Sequence, residues 1–491
     1  LTIPLPANPT TIGCLNGEGH RNLSDSCYPR ALVIGASITG LLAAWLLTRH
    51  FPSVVLVERD ELSSNAGSRS GVPQDIHGHA VLSSGYRILC QLFPDLDEEL
   101  ERRGAPAGDL TADTAILYRG GWVPHYRSGI VSRGFSRLLL ESLIRERVLA
   151  HPAVRLVTRQ QVVGLQHDPA SGRVIGIRTV ARGASPGEQR ISAELTVDAS
   201  GRNSRLPDWL DELGYGRPRE TVVNSHFGYA TRRYRKPPGQ AGPWKVLAVY
   251  GRPPELPRCG LIYPEEHDIW VVSMIGAMKD YPPTDDQGFL EFARSLPTPR
   301  IYEAIRNAES ISPISSYRYL ENRMRHFEQL ARWPDGLVAL GDAACTFNPV
   351  YAQGITVSAK SALLLERTCR EVRFDSTGNQ KGMTKRFQRR LSRELAIPWL
   401  LATCEDSRYS ESTVRRSLPT RLLHWYLDQA LLQLPNSRML TQALAEVIHL
   451  ERHPAILMHP MITLRVLTGF ASRSVFRGRT GGNSRKREAN T

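Results

Sequence analysis

Residues 33–47, VIGASITGLLAAWLL, constrain the fold of this 491-residue chain more tightly than any other stretch. The apolar run ALVI (31–34) leads into a glycine-bearing turn, a helical stretch from about Ile38 to Arg49, and a second apolar run, VVLV (54–57). That succession is the pattern of a strand–helix–strand unit, in which the helix returns the chain so that the two strands lie parallel. The turn reads Gly35-Ala36-Ser37-Ile38-Thr39-Gly40, the spacing G-x-G-x-x-G with serine in the middle place. In a dinucleotide site the first glycine permits the tight turn, the middle one lets backbone approach a pyrophosphate, and the third lets helix pack on strand. With Ser37 in the middle the motif alone is a weak signal, and an apolar helix beginning after a turn is the plainer reading. Glu58 ends the second run about 20 residues past the glycines, where a carboxylate can accept hydrogen bonds from ribose hydroxyls.

A chain this long calls for two or three packed subdomains, built in part from interleaved segments. The longest uninterrupted apolar run, Leu41 to Leu47, falls far short of the roughly 20 residues that span a bilayer, so no transmembrane helix is expected. The opening LTIPLPANPTTIGCLNGEGH has no basic start, apolar core and cleavage site, and residues 1–28 are expected to be a flexible lead-in. Seven cysteines (14, 27, 90, 259, 345, 369, 404) form no C-x-x-C pair, so neither a disulfide framework nor a zinc site is expected, and a cytoplasmic location fits. A net charge of +14 suits an anionic partner, but the arginines are spread along the chain with no recognisable nucleic-acid module, and nucleic-acid binding is not expected.

The pattern divides into an α/β unit of residues 29–220 and 326–390, a unit of 221–325, a helical region 391–475 and a basic disordered tail 476–491. Within 221–325, the runs HFGYATRRY (226–234), KVLAVYG (245–251) and DIWVVSM (268–274), separated by Pro/Gly-rich turns, predict an antiparallel sheet. The helical region carries prolines at 398, 419, 435, 454 and 460 that read as breaks.

Four further segments bear on the opening motif. In GLVALGDAACTFNPVYAQGIT (336–356) an apolar strand ends in Gly341-Asp342, and Pro349 and Gly354 lead into a helix. A carboxylate just off a strand can hold a sugar-alcohol hydroxyl, and a helix N-terminus offers free N–H groups to a ring carbonyl. This segment resembles the ribityl-binding motif of flavoprotein monooxygenases with the aromatic hydroxylase fold. Its FNPVYAQGIT form is similar to the squalene-epoxidase-like and polyether-epoxidase-like branch, with Ala352 where glycine is common. RSGVPQDIHGHAVLSSG (69–85) resembles another run of that branch, which implies Arg69 at the pyrophosphate, through its two-pronged guanidinium, and Gly71 to Gln74, including Val72, beside the flavin. His77 and His79 lack a third ligand, and no metal is expected. SRLLLESLIRERV (136–148) is similar to the helix whose arginine, here Arg137, meets the cofactor, and DASGRNS (198–204) resembles the motif that would bring Asp198 to it.

The resemblance implies an FAD-binding Rossmann-like domain interleaved with a mixed or antiparallel-sheet substrate domain, followed by C-terminal helices. FAD contacts are expected from Gly35, Ser37, Gly40, Glu58, Arg69, Gly71, Val72, Arg137, Val162, Asp198, Gly341, Asp342, Pro349, Gly354 and Ile355. Ser37 is expected to reach a phosphate with its hydroxyl. Pro349, Gly354 and Tyr229 are the residues nearest the chemistry, and Tyr229 and Trp270 are candidate pocket walls with ordinary core as the alternative. The implied reaction is insertion of one oxygen atom from O2, by epoxidation or hydroxylation, into a lipophilic natural-product-type substrate through a flavin hydroperoxide. NAD(P)H would be the reductant, directly or through a flavin reductase; the D-G form linked to NAD(P)H is altered at Asp198-Ala199.

A halogenase is disfavoured because GGWVPHY (120–126) matches its G-W-x-W-x-I-P segment only in Gly-Trp. A geranylgeranyl-type prenyl reductase is the alternative, and a non-catalytic prenyl-binding escort protein is a further one, disfavoured by the set Arg69, Asp342 and Gly354. The apolar stripe Leu423, Trp425, Tyr426, Leu427, Ala430 and Leu431 is expected to pack on the body of the protein, in preference to a membrane surface.

Overall fold

The computed structural model describes residues 29–62, 78–183, 187–239, 244–372, 381–414 and 416–470. Five parallel strands form the first sheet, in the order Leu337–Ala339, Leu195–Asp198, Arg30–Ile34, Ser53–Val57, Val154–Val157. The central strands are continuous apolar runs because both faces are covered by other elements. Helix Ile38–Leu47, buried at Leu41, Leu42, Ala43 and Ala44, packs against Arg137–Leu149 and Gly354–Val372. Register places Ile34, Asp198 and Ala339 side by side at the carboxyl ends of three strands. In open α/β sheets ligands bind beyond those ends, so the loops after residues 34, 198 and 339 meet where a site is expected.

The second sheet has eight strands, in the order Cys345–Thr346, Ser315–Arg325, Glu220–Arg235, Ile269–Gly276, Arg258–Glu265, Val246–Val249, Thr114–Tyr118, Gly121–Trp122. It exceeds the antiparallel sheet expected from 221–325. Thr114–Tyr118 pairs parallel with Val246–Val249, joining two segments whose partnership no local pattern announces. One face buries Tyr234 and Trp270 against helix Asp286–Arg294, which contributes Phe289 and Phe292, and helix Arg300–Ile305. Trp270, 2% exposed and stacked on Trp244, is therefore core and not a pocket wall.

Of the prolines expected to act as breaks, Pro398 is not one: helix Met383–Asp406 continues through it. An internal proline costs about 3 kcal/mol. Leu391, Leu395 and Ala402 on either side are buried in the main core, and their burial offsets that cost. In helix Leu418–Leu431, Tyr426 and Ala430 are buried and Leu427 and Leu431 pack on the same cluster, while Trp425 stays exposed. No helix among the described residues is long and apolar enough to cross a membrane.

Candidate functional site

The turn of the opening motif is built by exclusion of side chains. Gly35 has φ +97°, and a Cβ there would lie 2.6 Å from the carbonyl oxygen of Ala199. A Cβ at Gly40 would lie 1.8 Å from the carbonyl oxygen of Gly35, so the first turn of the helix can touch the strand end only with glycine at that position. Glu58, buried at the end of its strand, accepts the Ala36 N–H at 2.9 Å and the Asp60 N–H at 3.1 Å, which fastens its carboxylate to the turn.

Ser37, expected to offer its hydroxyl to a phosphate, uses it differently. It donates to Glu141 Oε2 at 3.0 Å and accepts from Arg137 at 2.9 Å, so its single proton is spent within the protein. Glu141, almost fully buried, also accepts from Arg145 at 2.8 Å. The resemblance does not single out Glu141, yet Arg137, Glu141 and Arg145 are spaced i, i+4, i+8 on one helical face, and that spacing is a signal in the sequence itself. Arg137 lies 3.4 Å from His79 as well. Arg69, Gly71 and Val72 lie outside the described residues, as does His77.

Asp198 is fully buried, and its carboxylate accepts from the Ser200 N–H at 3.0 Å, the Ser200 hydroxyl at 2.6 Å and the Ser204 hydroxyl. It shapes the Ala199–Ser204 loop that closes over Gly35, and reaches the site through that loop. Val162 is buried on strand Gln160–Asp168, which begins where the Gln160 N–H bonds the carbonyl of Glu58 at 3.0 Å.

Gly341, at φ +61°, sets its Cα against Thr39 of the first helix; a Cβ would meet the threonine side chain at 2.5 Å. The next residue, Asp342, is half-buried, and its carboxylate accepts no hydrogen bond from the described residues. Burial pushes this carboxyl above the usual range, against the pull of Arg137, Arg202 and Arg325. A carboxylate so placed is paired only at a distance and is equipped to accept hydroxyl donors from a ligand.

Helix Gly354–Val372 opens at the same junction, and its first N–H groups, those of Gly354, Ile355 and Thr356, precede any intrahelical acceptor. A Cβ at Gly354 would meet nothing within 4 Å. Three buried side-chain atoms in the approach to this helix, Asn348 Nδ2, Gln353 Oε1 and Thr356 Oγ1, have no hydrogen-bond partner among the described residues. Pro349 opens the short turn Pro349–Tyr351, and Val350 packs on a cluster of Phe227, Tyr229, Leu320 and Tyr409. Tyr229 faces Tyr317 with ring centroids 6.0 Å apart, so the second sheet contributes an aromatic wall next to the turn. A cleft of about 380 Å³ adjoins it, lined by Arg202, Asn203, Asn224, Tyr317, Arg318, Leu320 and Glu321. Its lining is mostly polar, which a purely lipophilic ligand does not require.

No family model matches the chain. It is 33% identical to Protein Rv3254 of Mycobacterium tuberculosis over 344 residues, which cover 69% of this chain and 72% of that protein. It is 26% identical over 359 residues to 6-methylpretetramide 4-monooxygenase of Streptomyces rimosus, covering 70% of this chain and 76% of the relative. Among solved structures, the flavin-dependent brominase Bmp2 superposes with a TM-score of 0.61 at 15% identity, over 86% of this chain and 93% of that one. PqsL of Pseudomonas aeruginosa, solved in complex with 2-aminobenzoylacetate, gives 0.57 at 16% identity, over 77% of this chain and 97% of that one. The fold of parallel-sheet α/β domain, mixed-sheet domain and C-terminal helices is thereby shared with flavin-dependent enzymes.

Proposed function

Because the chain belongs to the family of the Mycobacterium tuberculosis protein Rv3254, and its fold is that of flavin-dependent enzymes, we propose that it is an FAD-dependent monooxygenase. The observation that carries the reading is the junction of three strand ends. There a glycine-built turn, an Asp342 carboxylate with no donor from the described residues, and an open helix N-terminus lie on adjoining segments: Gly341 packs on Thr39 of the first helix, and Gly341–Ala343 contacts helix Gly354–Val372. The residues fit FAD. Glu58 suits the adenosine ribose, Gly35 and the first helix the pyrophosphate, Asp342 the ribityl hydroxyls, and the N–H groups of Gly354 and Ile355 an electron-rich ring carbonyl. The partnerless Asn348 Nδ2 and Gln353 Oε1, on the segment leading into helix Gly354–Val372, are further polar atoms that a ligand there could satisfy. Arg69, Gly71 and Val72 are proposed contacts on the resemblance of their motif alone.

Bound FAD, supplied with two electrons from NAD(P)H directly or through a flavin reductase, would supply the activation of O2, with one oxygen atom passing to the substrate and the other leaving as water. The protein's part is to orient the substrate and exclude water. The aromatic wall of Phe227, Tyr229, Tyr317 and Tyr409 suits a flat, lipophilic substrate, while Arg202 and Arg318 in the adjoining cleft suit polar substituents on it. A hydroxylated aromatic or polyene natural product meets both demands, by hydroxylation or epoxidation. The 6-methylpretetramide enzyme supports this reading by its name. A halogenase is disfavoured by sequence alone, since residues 120–126 match its G-W-x-W-x-I-P segment only in Gly121-Trp122; the fold, shared with the brominase Bmp2, carries no weight between the two.

The test is to purify the protein, reconstitute it with FAD, and ask whether NADPH bleaches the flavin with and without an added flavin reductase. Aromatic and polyene substrates are then offered under isotope-labelled O2, with bromide and chloride in parallel. One labelled oxygen atom in the product is the expected result. A protein that stays colourless with FAD sinks the flavin reading, and a halogenated product replaces oxygenation with halogenation. Gly354→Ala gives a narrower check. Since the added methyl meets no protein atom, melting of the apoprotein is expected to be unchanged, while FAD affinity falls about tenfold through crowding of the ring. Unaltered affinity would place the ring elsewhere.

A further inference from the structure

Asp406, the last residue of helix Met383–Asp406, is fully buried and takes no part in the chemistry above. Tyr351 donates its phenol proton to one carboxylate oxygen, and Asn322 Nδ2 donates to the other at 2.7 Å. Asn322 carries the link onward: its Oδ1 accepts the backbone N–H of Asn348 at 2.8 Å. One carboxylate therefore grips both ends of the Asn348–Tyr351 turn. The backbone carbonyl of Asp406 also accepts the Ser225 hydroxyl at 2.8 Å, at the irregularity where Glu220–Arg235 and Ser315–Arg325 shift register between Val223 and Phe227.

The turn is one that needs holding. Ala352, which follows it, sits at φ +53°, a left-handed conformation that costs a residue with a Cβ about 1–2 kcal/mol. Beyond it stand Gln353 and the opening of the Gly354 helix.

We propose that Asp406 is a positioning residue for the flavin-facing turn, fixing through Tyr351 and Asn348 where Pro349 and the first N–H groups of the Gly354 helix stand. This rests on the FAD reading. Burial pushes the Asp406 carboxyl up to about 7, while the hydrogen bonds from Tyr351 and Asn322 favour its ionised form. The groups around it are Glu405 on its own helix, Tyr351 on the turn, Arg408 and Tyr409 on the segment that follows, and Asn322 and Ser225 on the strands. Glu405 and Arg408 are the charged ones, and they pair with each other at 2.9 Å. As pH falls through about 7, Asp406 takes a proton from solvent and can no longer accept from both partners as an anion; the turn loosens.

The experiment measures FAD affinity and the visible flavin spectrum on both sides of the Asp406 midpoint for the wild type, Asp406→Asn and Tyr351→Phe. The wild type is expected to bind FAD several-fold more weakly on the acid side, with a midpoint near the value of about 7. Asp406→Asn keeps one acceptor oxygen where the carboxylate has two, so only one of Tyr351 and Asn322 can still donate to it, and it is expected to bind about tenfold more weakly on the alkaline side, with no midpoint. Tyr351→Phe keeps the carboxylate and is expected to move the midpoint upward. A second readout needs no cofactor. Because the folded-state pKa is raised above the usual carboxylate value, the wild-type apoprotein loses stability as pH rises from the usual carboxylate range to about 7 and levels off above it, whereas Asp406→Asn does not. The melting-temperature difference between them must therefore change with pH below about 7 and become constant above it. A difference that is flat throughout, or an Asp406→Asn protein with wild-type affinity and wild-type midpoint, overturns the proposal. A wild type that binds no FAD at any pH overturns the flavin reading, and the apoprotein titration then shows separately whether Asp406 controls the turn. If Asp406→Asn does not fold, the wild-type midpoint and its displacement in Tyr351→Phe decide the matter.

Discussion

Asp342→Ala is expected to lower FAD affinity by about ten- to a hundredfold, the loss of one or two hydrogen bonds to a charged acceptor, without weakening the apoprotein. The two effects have opposite signs for one reason. The folded protein holds the Asp342 proton more tightly than the unfolded chain does, so at neutral pH ionising this carboxyl costs the fold free energy. Removing it removes that cost. The nearby arginines keep other partners: Arg325 donates to the carbonyls of Ala343 at 2.8 Å and Arg202 at 2.9 Å, and Arg137 donates to Ser37. Flavin fluorescence titration beside thermal melting of the apoprotein reads both effects. An Asp342→Ala protein that retains FAD like the wild type refutes the role given to the carboxylate, and one whose apoprotein melts well below the wild type shows that Asp342 is structural.

Gly40→Ala is expected to be among the most damaging single methyls at the described glycines. Its Cβ would sit 1.8 Å from a backbone oxygen, with Leu41 and Leu42 beside it fully buried, so neither the helix nor the strand end can retreat cheaply. Overpacking of a rigid core costs about 3 kcal/mol or more where backbone must move. Loss of soluble protein, or a melting temperature lowered by several degrees, is the expected outcome. The same substitution at Gly354 is the internal control, and equal tolerance at the two positions would show the strand–helix packing to be wrong.

The contrast between those glycines separates what is legible in the amino-acid sequence from what is not. Gly35, Gly40, Glu58 and the Gly341-Asp342 pair lie in short segments whose spacing is set by local geometry, and the fold brings them to one junction. Ser37 departs from expectation because its partners, Arg137 and Glu141, lie about a hundred residues away, beyond the reach of local pattern, and they take up the hydroxyl. The same distance hides the pairing of Thr114–Tyr118 with Val246–Val249 and the grip of Asp406 on the turn at Asn348. Pro398 differs for another reason: residue type suggests a helix break, and tertiary burial decides otherwise, while for Trp270, open between pocket wall and core, burial selects core.

The register that sets Ile34, Asp198 and Ala339 side by side also orders events in time. At the usual pace of synthesis, roughly 15–60 s separate the emergence of the first of these residues from the last. For the later part of that interval strand Leu195–Asp198 has been made but lacks Leu337–Ala339, the edge strand that pairs with it and completes the sheet. Pairings of such long range close slowly. Chains interrupted before residue 339 thus leave one edge of Leu195–Asp198 without its partner strand, and any ligand specific for the junction can rescue only chains that have passed that point.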